Sequence, residues 1–288
     1  MEKFTHRISE TEGGAKVGDL LRRLGFSASA IKRLKLMEDG VTLDGGRVFT
    51  NARVVPGQLL ECRIDDGERT GSVAPSGDLP EIIYEDSYVT VFNKPGGLLT
   101  HPSSLDPSAP SLASAYARAF PGAVFHPVTR LDAGTSGIIM TAKSGLAHHL
   151  FSGERAGLKK EYLAVCDGEM PDGNGFIDLP ISRAEGSLIK RRTDPAGRTA
   201  LTAYSALKRA GGRTLVRLWA LTGRTHQLRV HLSALGYPIT GDYLYGTENR
   251  DLIGRAALHA CRLSFTHPVT GKEISLEAPL PEDMEKLL

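Results

Sequence analysis

The sequence predicts an α+β protein: a small N-terminal α/β unit, a linker, and a larger domain built on a mixed sheet. Three observations carry this. Apolar residues recur at helical spacing in two early stretches, "KVGDLLRRLGF" and "SASAIKRLKLMEDG". A tract rich in Gly, Ser, Pro and charge, "DDGERTGSVAPSGDLP" at residues 65–80, interrupts the periodicity and reads as a flexible linker. Beyond it, strand-like runs outnumber the helices between them.

Within residues 1–64, Val17, Leu20, Leu21 and Leu24 form the inner face of a first helix, with Gly25 placed to stop it. Ser27 or Ser29 is the expected N-cap of a second helix, whose Ile31 and Leu34 face inward. Lys32, Arg33 and Lys35 fall on its opposite side. They suit either a solvated face or RNA phosphates. Alternating residues then predict strands, with a turn at Asp44-Gly45-Gly46.

In residues 81–288, "EIIYEDSYVTVFNKPGG" predicts two short strands and "SLASAYARAF" a helix. "HPVTRLD" and "GIIMTAKS" read as strands on either side of a small-residue turn, and "LAHHLFSGERAG" as a helix. "KKEYLAVCDG" reads as a strand, and strand patterns dominate from Phe176 to Leu221. "THQLRVHLSALG" is expected to be a helix capped by Thr222 or Thr225, with Leu228, Leu232 and Leu235 as its apolar stripe. The C-terminal "AALHACRLSFTHPVTGKEISLEAP" predicts a hairpin.

Composition bounds the class. The chain has 288 residues, 41% hydrophobic and 24% charged, which is ordinary for a globular protein. No apolar run is long enough for a membrane span, and the N-terminus has no secretory h-region. Cys62, Cys166 and Cys261 are too far apart for a zinc site and odd in number, which fits a reducing cytoplasm. A net charge of +2 identifies no partner.

The chemistry-bearing residues fall in three places. Asp132 follows Arg130-Leu131 and precedes Ala133-Gly134-Thr135-Ser136-Gly137, a turn that allows close approach. It either caps its own turn or serves a site. His226 and Arg229 lie three apart on the predicted helix, and Arg229 sits among apolar residues. An unpaired guanidinium is costly there, so it requires an anion: a phosphate, or a carboxylate such as Asp132. Tyr162 and Lys160 share a face of one strand, a suitable place to stack a nucleobase, although a core tyrosine fits equally. His226 and His231 lack the spacing of a metal-binding pair. No phosphate loop, dinucleotide fingerprint or nucleophile elbow is present. A glycosidase-type pairing of Asp132 with a distant carboxylate stays open.

Taken together, "NKPGGLLTHP", "TRLDAGTSG", "KKEYLAV", "GRTALTAY" and "LTGRTHQLRVHLSALGYPITGDYLYG" occur in the order found in RluA/RluD-type RNA pseudouridine synthases. The chain resembles that family from about Glu81 to Pro281. Its N-terminal unit resembles the small ribosomal-protein-type RNA-binding domain often joined to it.

The resemblance implies the pseudouridine synthase fold, a mixed, mostly antiparallel sheet with a central cleft. It implies isomerisation of uridines in structured RNA, ribosomal RNA foremost and transfer RNA second, with no metal or cofactor. It assigns Asp132 as the catalytic aspartate, Tyr162 as the tyrosine against the target uracil, and Arg229 as the arginine paired with the aspartate. Arg130, Lys160, Thr135 and His226 are the expected substrate contacts. Lys32, Arg33, Lys35, Arg191 and Arg192 are the expected RNA contacts, with Lys190 beside them. Thr129 stands where many relatives have histidine, with His126 as its nearest substitute. Attack on the base, attack on the sugar and a glycal-like route are all compatible with such an aspartate. Two other functions compete: a catalytically silent RNA-binding or ribosome-assembly factor, and a nucleoside or glycoside hydrolase.

Overall fold

The computed structural model describes residues 2–26, 28–64, 73–103, 106–152 and 156–288. The N-terminal part comprises β1 (Glu2–Arg7), α1 (Val17–Arg23), α2 (Ala28–Leu36), β2 (Val41–Leu43), β3 (Gly46–Arg47) and β4 (Leu59–Ile64). Its strands form an antiparallel sheet in the order β1-β4-β2-β3. Val17, Leu20, Leu21, Ile31 and Leu34 turn inward onto Leu60 and Cys62, as the helical spacing requires. Gly25 has φ +92°, a conformation that ends α1 at little cost only in glycine. Asp44 (φ 50°) and Gly45 (φ 82°) make the tight turn between β2 and β3. Ser29 lies inside α2 instead of capping it, and Ser27 is outside the described residues.

The small core does not stand clear of the rest. Leu146 and Leu150 pack against it, and the His149 ring lies 3.9 Å from that of Phe26. Of the interrupting tract, residues 65–72 are outside the described residues. Residues 73–80 have no regular structure but are held against the larger part. Ser76 N–H donates to Ser114 O, and Arg118 donates to Gly77 O and Asp78.

The larger part continues with β5 (Glu81–Glu85), β6 (Val89–Lys94), α3 (Leu112–Ala119), β7 (His126–Pro127), β8 (Ser136–Ala142), α4 (Gly145–Ser152), β9 (Lys159–Asp167), β10 (Gly173–Asp178), β11 (Ile181–Arg183) and β12 (Arg191–Thr193). It ends with β13 (Leu201–Ala210), β14 (Arg213–Ala220), α5 (Gln227–Ala234), β15 (Leu258–Thr266), β16 (Glu273–Glu277) and α6 (Glu282–Glu285). Among the described residues, a ten-stranded sheet runs β10-β13-β14-β9-β15-β8-β6-β5, with β16 on β15 and β7 on β8. Strands β11 and β12 form a separate ribbon. The sheet pairings are antiparallel except β15 on β8, where His259 faces Ser136 and Ala260 faces Gly137. The fold is therefore α+β with a mixed, mostly antiparallel sheet. Among the described residues no helix is long and apolar enough to cross a membrane.

Two expectations need correction. The strand expected over "HPVTRLD" stops after Pro127, because Val128 and Thr129 both direct their N–H groups to Met140 O and the ladder ends there. Neither Thr222 nor Thr225 caps α5. His226 occupies the N-cap position in the left-handed region, at φ 56° and without a side-chain cap bond, and Leu235 is exposed beyond the helix end.

The parallel joint depends on Gly137. Its φ is +104°, and a Cβ there would overlap the Ala260 carbonyl oxygen. Gly137→Ala is expected to cost roughly 2–6 kcal/mol, the sum of backbone strain and overpacking. Urea unfolding checks this, and an unchanged midpoint would show that the joint tolerates a side chain.

Candidate active site

The segment from Thr129 to Gly137 is irregular, yet its backbone is tied down on several sides. The Thr129 hydroxyl accepts Met140 N–H at 2.9 Å, so its side chain ends the strand pairing. Thr100 donates its hydroxyl to Leu131 O at 2.8 Å. The fully buried Lys94 ammonium donates to Pro95 O, Leu98 O and Ala133 O at 2.9, 2.8 and 3.3 Å. Arg255 donates to Gly134 O at 3.1 Å while its other edge is bidentate to Asp283. Burial, then the Arg255 charge, pull the Lys94 pKa down to about 7, with Asp132 acting against them. With the carbonyls of Leu131, Ala133 and Gly134 held from one side, the Asp132 side chain is left facing the cleft.

Arg229 reaches it from α5. The guanidinium is buried, and Asp242 takes its Nε and Nη2 edge in two bonds of 2.7 and 2.6 Å. Its Nη1 then donates to Asp132 Oδ2 at 3.3 Å. Burial works against the charge, but the two carboxylates outweigh it and raise the Arg229 pKa above its ordinary value. The Tyr245 ring lies 5.1 Å from the guanidinium carbon.

The Tyr245 hydroxyl accepts Arg191 N–H at 2.8 Å and meets His226 Nδ1 at 2.8 Å. If that hydroxyl donates to Nδ1, the His226 proton sits on Nε2, 3.8 Å from Asp132. Burial, more than neighbouring charge, holds the His226 pKa below its usual value, so the ring is neutral at physiological pH. His231 is separate from this group: it bonds Thr202 and Leu179 O from the buried side of α5.

Tyr162 and Lys160 project from the same face of β9. Tyr162 packs in the main core beside Leu218 and Ala260 while its ring borders the cleft. Burial and then the Asp132 charge push its phenol pKa up, so the hydroxyl is protonated. Burial lowers the Lys160 pKa.

The structure thus brings Asp132, Arg229, Tyr162, Arg130, Lys160, Thr135 and His226 to the wall of one cavity of about 330 Å³. Among the described residues, Asp132 is the only carboxylate on that wall. Arg191 approaches through its backbone N–H, whereas Arg192 pairs with Asp194 at 3.2 Å. Lys32, Arg33 and Lys35 are exposed on α2, in the N-terminal part. His126 is not on the wall; it pairs with Ala142, with its ring 6.0 Å from His148. Thr129 is on the wall, but its hydroxyl is occupied by Met140.

Sequence reasoning did not single out Asp242, Lys94 or Arg255. Asp242 was visible as the acid of "GYPITGDYLYG", thirteen residues after an arginine that required an anion. Asp242→Asn removes one member of a buried pair and is expected to cost about 3–5 kcal/mol. Chemical denaturation measures it, and a loss below about 1 kcal/mol, the range of an exposed pair, would contradict this account of the buried guanidinium.

Comparison with known proteins agrees with this geometry. A sequence model described as RNA pseudouridylate synthase matches residues 88–234. The uncharacterized RNA pseudouridine synthase YjbO of Bacillus subtilis is 37% identical over 92% of this chain and 95% of its own length. Ribosomal large subunit pseudouridine synthase D of Vibrio parahaemolyticus is 33% identical over 98% of this chain and 92% of its own. The solved structure of human RNA pseudouridylate synthase domain containing 1 covers 73% of this chain and 85% of that one, at 29% identity and a TM-score of 0.58. From the matched motifs, the cleft they build and these relatives, the chain belongs to the RNA pseudouridine synthases, a family of isomerases.

Proposed function

We propose that this protein converts uridine to pseudouridine in structured ribosomal RNA, with Asp132 as the reacting group and without a cofactor. The reaction breaks the bond from ribose C1′ to uracil N1, turns the base and joins C1′ to C5. The hydrogen on C5 is released and N1 gains one, so substrate and product are isomers. The observation that carries the reading is the unequal sharing of Arg229. Asp242 holds its Nε–Nη2 edge in two bonds, and the partly exposed Asp132 is left with one bond of 3.3 Å.

A uridine in a helix hides its glycosidic bond, so the base must be extruded at a cost of roughly a few kcal/mol. Stacking on Tyr162 offsets about 1–3 kcal/mol of that. Arg130, exposed at the cavity mouth, and Lys160, within it, are suited to the phosphate and the base; Thr135 and His226 flank the aspartate. In this reading residues 1–64 form an RNA-binding unit that presents Lys32, Arg33 and Lys35 to phosphates, joined by residues 65–80 to a catalytic domain at 81–288. Arg191 and Arg192 extend the basic surface along β12. Ribosomal RNA is favoured because relatives over nearly the whole chain carry names that specify the large ribosomal subunit. A cytoplasmic location goes with that substrate.

RNA labelled with tritium at uracil C5 tests the reading. Wild type is expected to release tritium and no free uracil. Asp132→Ala is expected to lower the rate by at least about 10³-fold, as loss of a group acting only in the transition state does. Equal release from both proteins would favour a silent binding factor, and free uracil would favour a hydrolase.

A further inference from the structure

A second cavity, of about 500 Å³, also borders Asp132. It shares Arg130, Leu131, Asp132, Thr135, His226 and Arg229 with the first, so the two are separated only by the catalytic wall itself. Both volumes are ordinary for a bound small organic group. A single extruded uracil needs only the cavity bordered by Tyr162, which leaves the larger one without an occupant.

Its outer wall is unlike the inner one. Tyr243 lines it with 63% of its surface exposed, and Ile189, at the apex of the β11–β12 ribbon, lines it at 47% exposed. The Tyr243 ring stands 5.9 Å from the Arg229 guanidinium carbon, on the same cation that reaches Asp132. Among the described residues its hydroxyl makes no hydrogen bond, so its exposed ring is not explained by a polar tether. Arg130 borders both cavities, is exposed, and has no ion-pair partner among the described residues. An exposed aromatic face, an apolar neighbour and an unpaired cation on the boundary form a site for a base whose phosphate crosses at Arg130.

We propose that this second cavity holds a nucleotide adjacent in the RNA chain to the target uridine, stacked on Tyr243 with Ile189 as the second apolar wall. The inference rests on the uridine isomerase reading. It makes Tyr243 a positioning residue that acts in RNA binding and not in bond breaking. Because every base has a stacking face, the site fixes the path of the RNA through the cleft more than its sequence.

The test begins by mapping the modified uridine in ribosomal RNA treated with wild-type protein. Fragments around that uridine are then made with each flanking nucleotide intact or abasic, and kcat and KM are measured for wild type, Tyr243→Ala and Tyr243→Phe. Tyr243→Ala is expected to raise KM by at least about 5-fold, the factor given by the low end of base stacking, with kcat within about two-fold. Tyr243→Phe restores KM. Making one flanking nucleotide abasic raises KM equally in wild type and adds nothing to Tyr243→Ala. An unchanged KM in Tyr243→Ala, a rise that phenylalanine does not restore, or a penalty that persists on every abasic RNA overturns the inference. Failure of wild type to release tritium from any RNA overturns instead the isomerase reading beneath it, before any variant is compared.

Discussion

The site depends on one buried guanidinium shared by two carboxylates of opposite character. Arg229 cannot stay charged inside the protein without an anion, and Asp242 supplies it in a bidentate pair with no exposed carboxylate surface. Asp242 Oδ1 also accepts the N–H groups of Leu244 and Tyr245, so this fully enclosed carboxylate is committed to structural bonds. Asp132 receives only the remaining Nη1 edge and keeps 34% of its side chain exposed. One carboxylate is thereby structural and the other is left with open lone pairs at the cleft. The turn that delivers Asp242 tolerates no side chain at Gly241, where φ is +74° and a Cβ would overlap the Arg255 carbonyl oxygen. Fold and site meet at that turn.

The segment carrying Asp132 is positioned by what lies behind it. Lys94, Thr100 and Arg255 take its carbonyl oxygens, and Gly137 lets β8 run parallel to β15 at close range. These groups are strongly placed because the alternatives are unsatisfied carbonyls in a buried region. Precision at an irregular segment thus comes from side chains of β6, of the loop that follows it and of the chain preceding β15. The segment makes no ladder of its own after Pro127.

Much of this was legible in the sequence. Local rules sufficed for the N-terminal helices, for Gly25, for the Asp44-Gly45 turn and for the hairpin of β15 and β16. The seven residues named for catalysis and substrate contact do converge on one cavity, and five spaced motifs carried that expectation. What failed was reasoning that needs the third dimension. Periodicity put Leu235 on the apolar stripe of α5, yet the helix buries Gln227, Arg229 and His231 instead, each with its own hydrogen-bond partner. Spacing suggested a strand through Thr129, but Met140 on the neighbouring strand takes its backbone and its hydroxyl. Arg229 was known to require an anion, and Asp132 was a reasonable choice. That a second acid holds it more tightly is a property of the turn at Gly241, which no local pattern exposes.

The geometry also bears on hydrolysis, the competing chemistry. Two-carboxylate glycoside hydrolysis needs a second acid free to act on the bond. Asp242 is enclosed, and among the described residues no second acid borders the cavity that contains Asp132 and Tyr162, while Glu248, on the wall of the second cavity, is paired with Arg250 at 2.7 Å. The central claim is that Asp132, presented by Arg229, meets a uridine extruded onto Tyr162. A crystal structure of the Asp132→Asn protein bound to its mapped RNA tests this most directly. The account predicts the target base against the Tyr162 ring, its ribose beside residue 132, and Arg229 still bidentate to Asp242. A target base bound elsewhere, with Tyr162 uncovered, would contradict it.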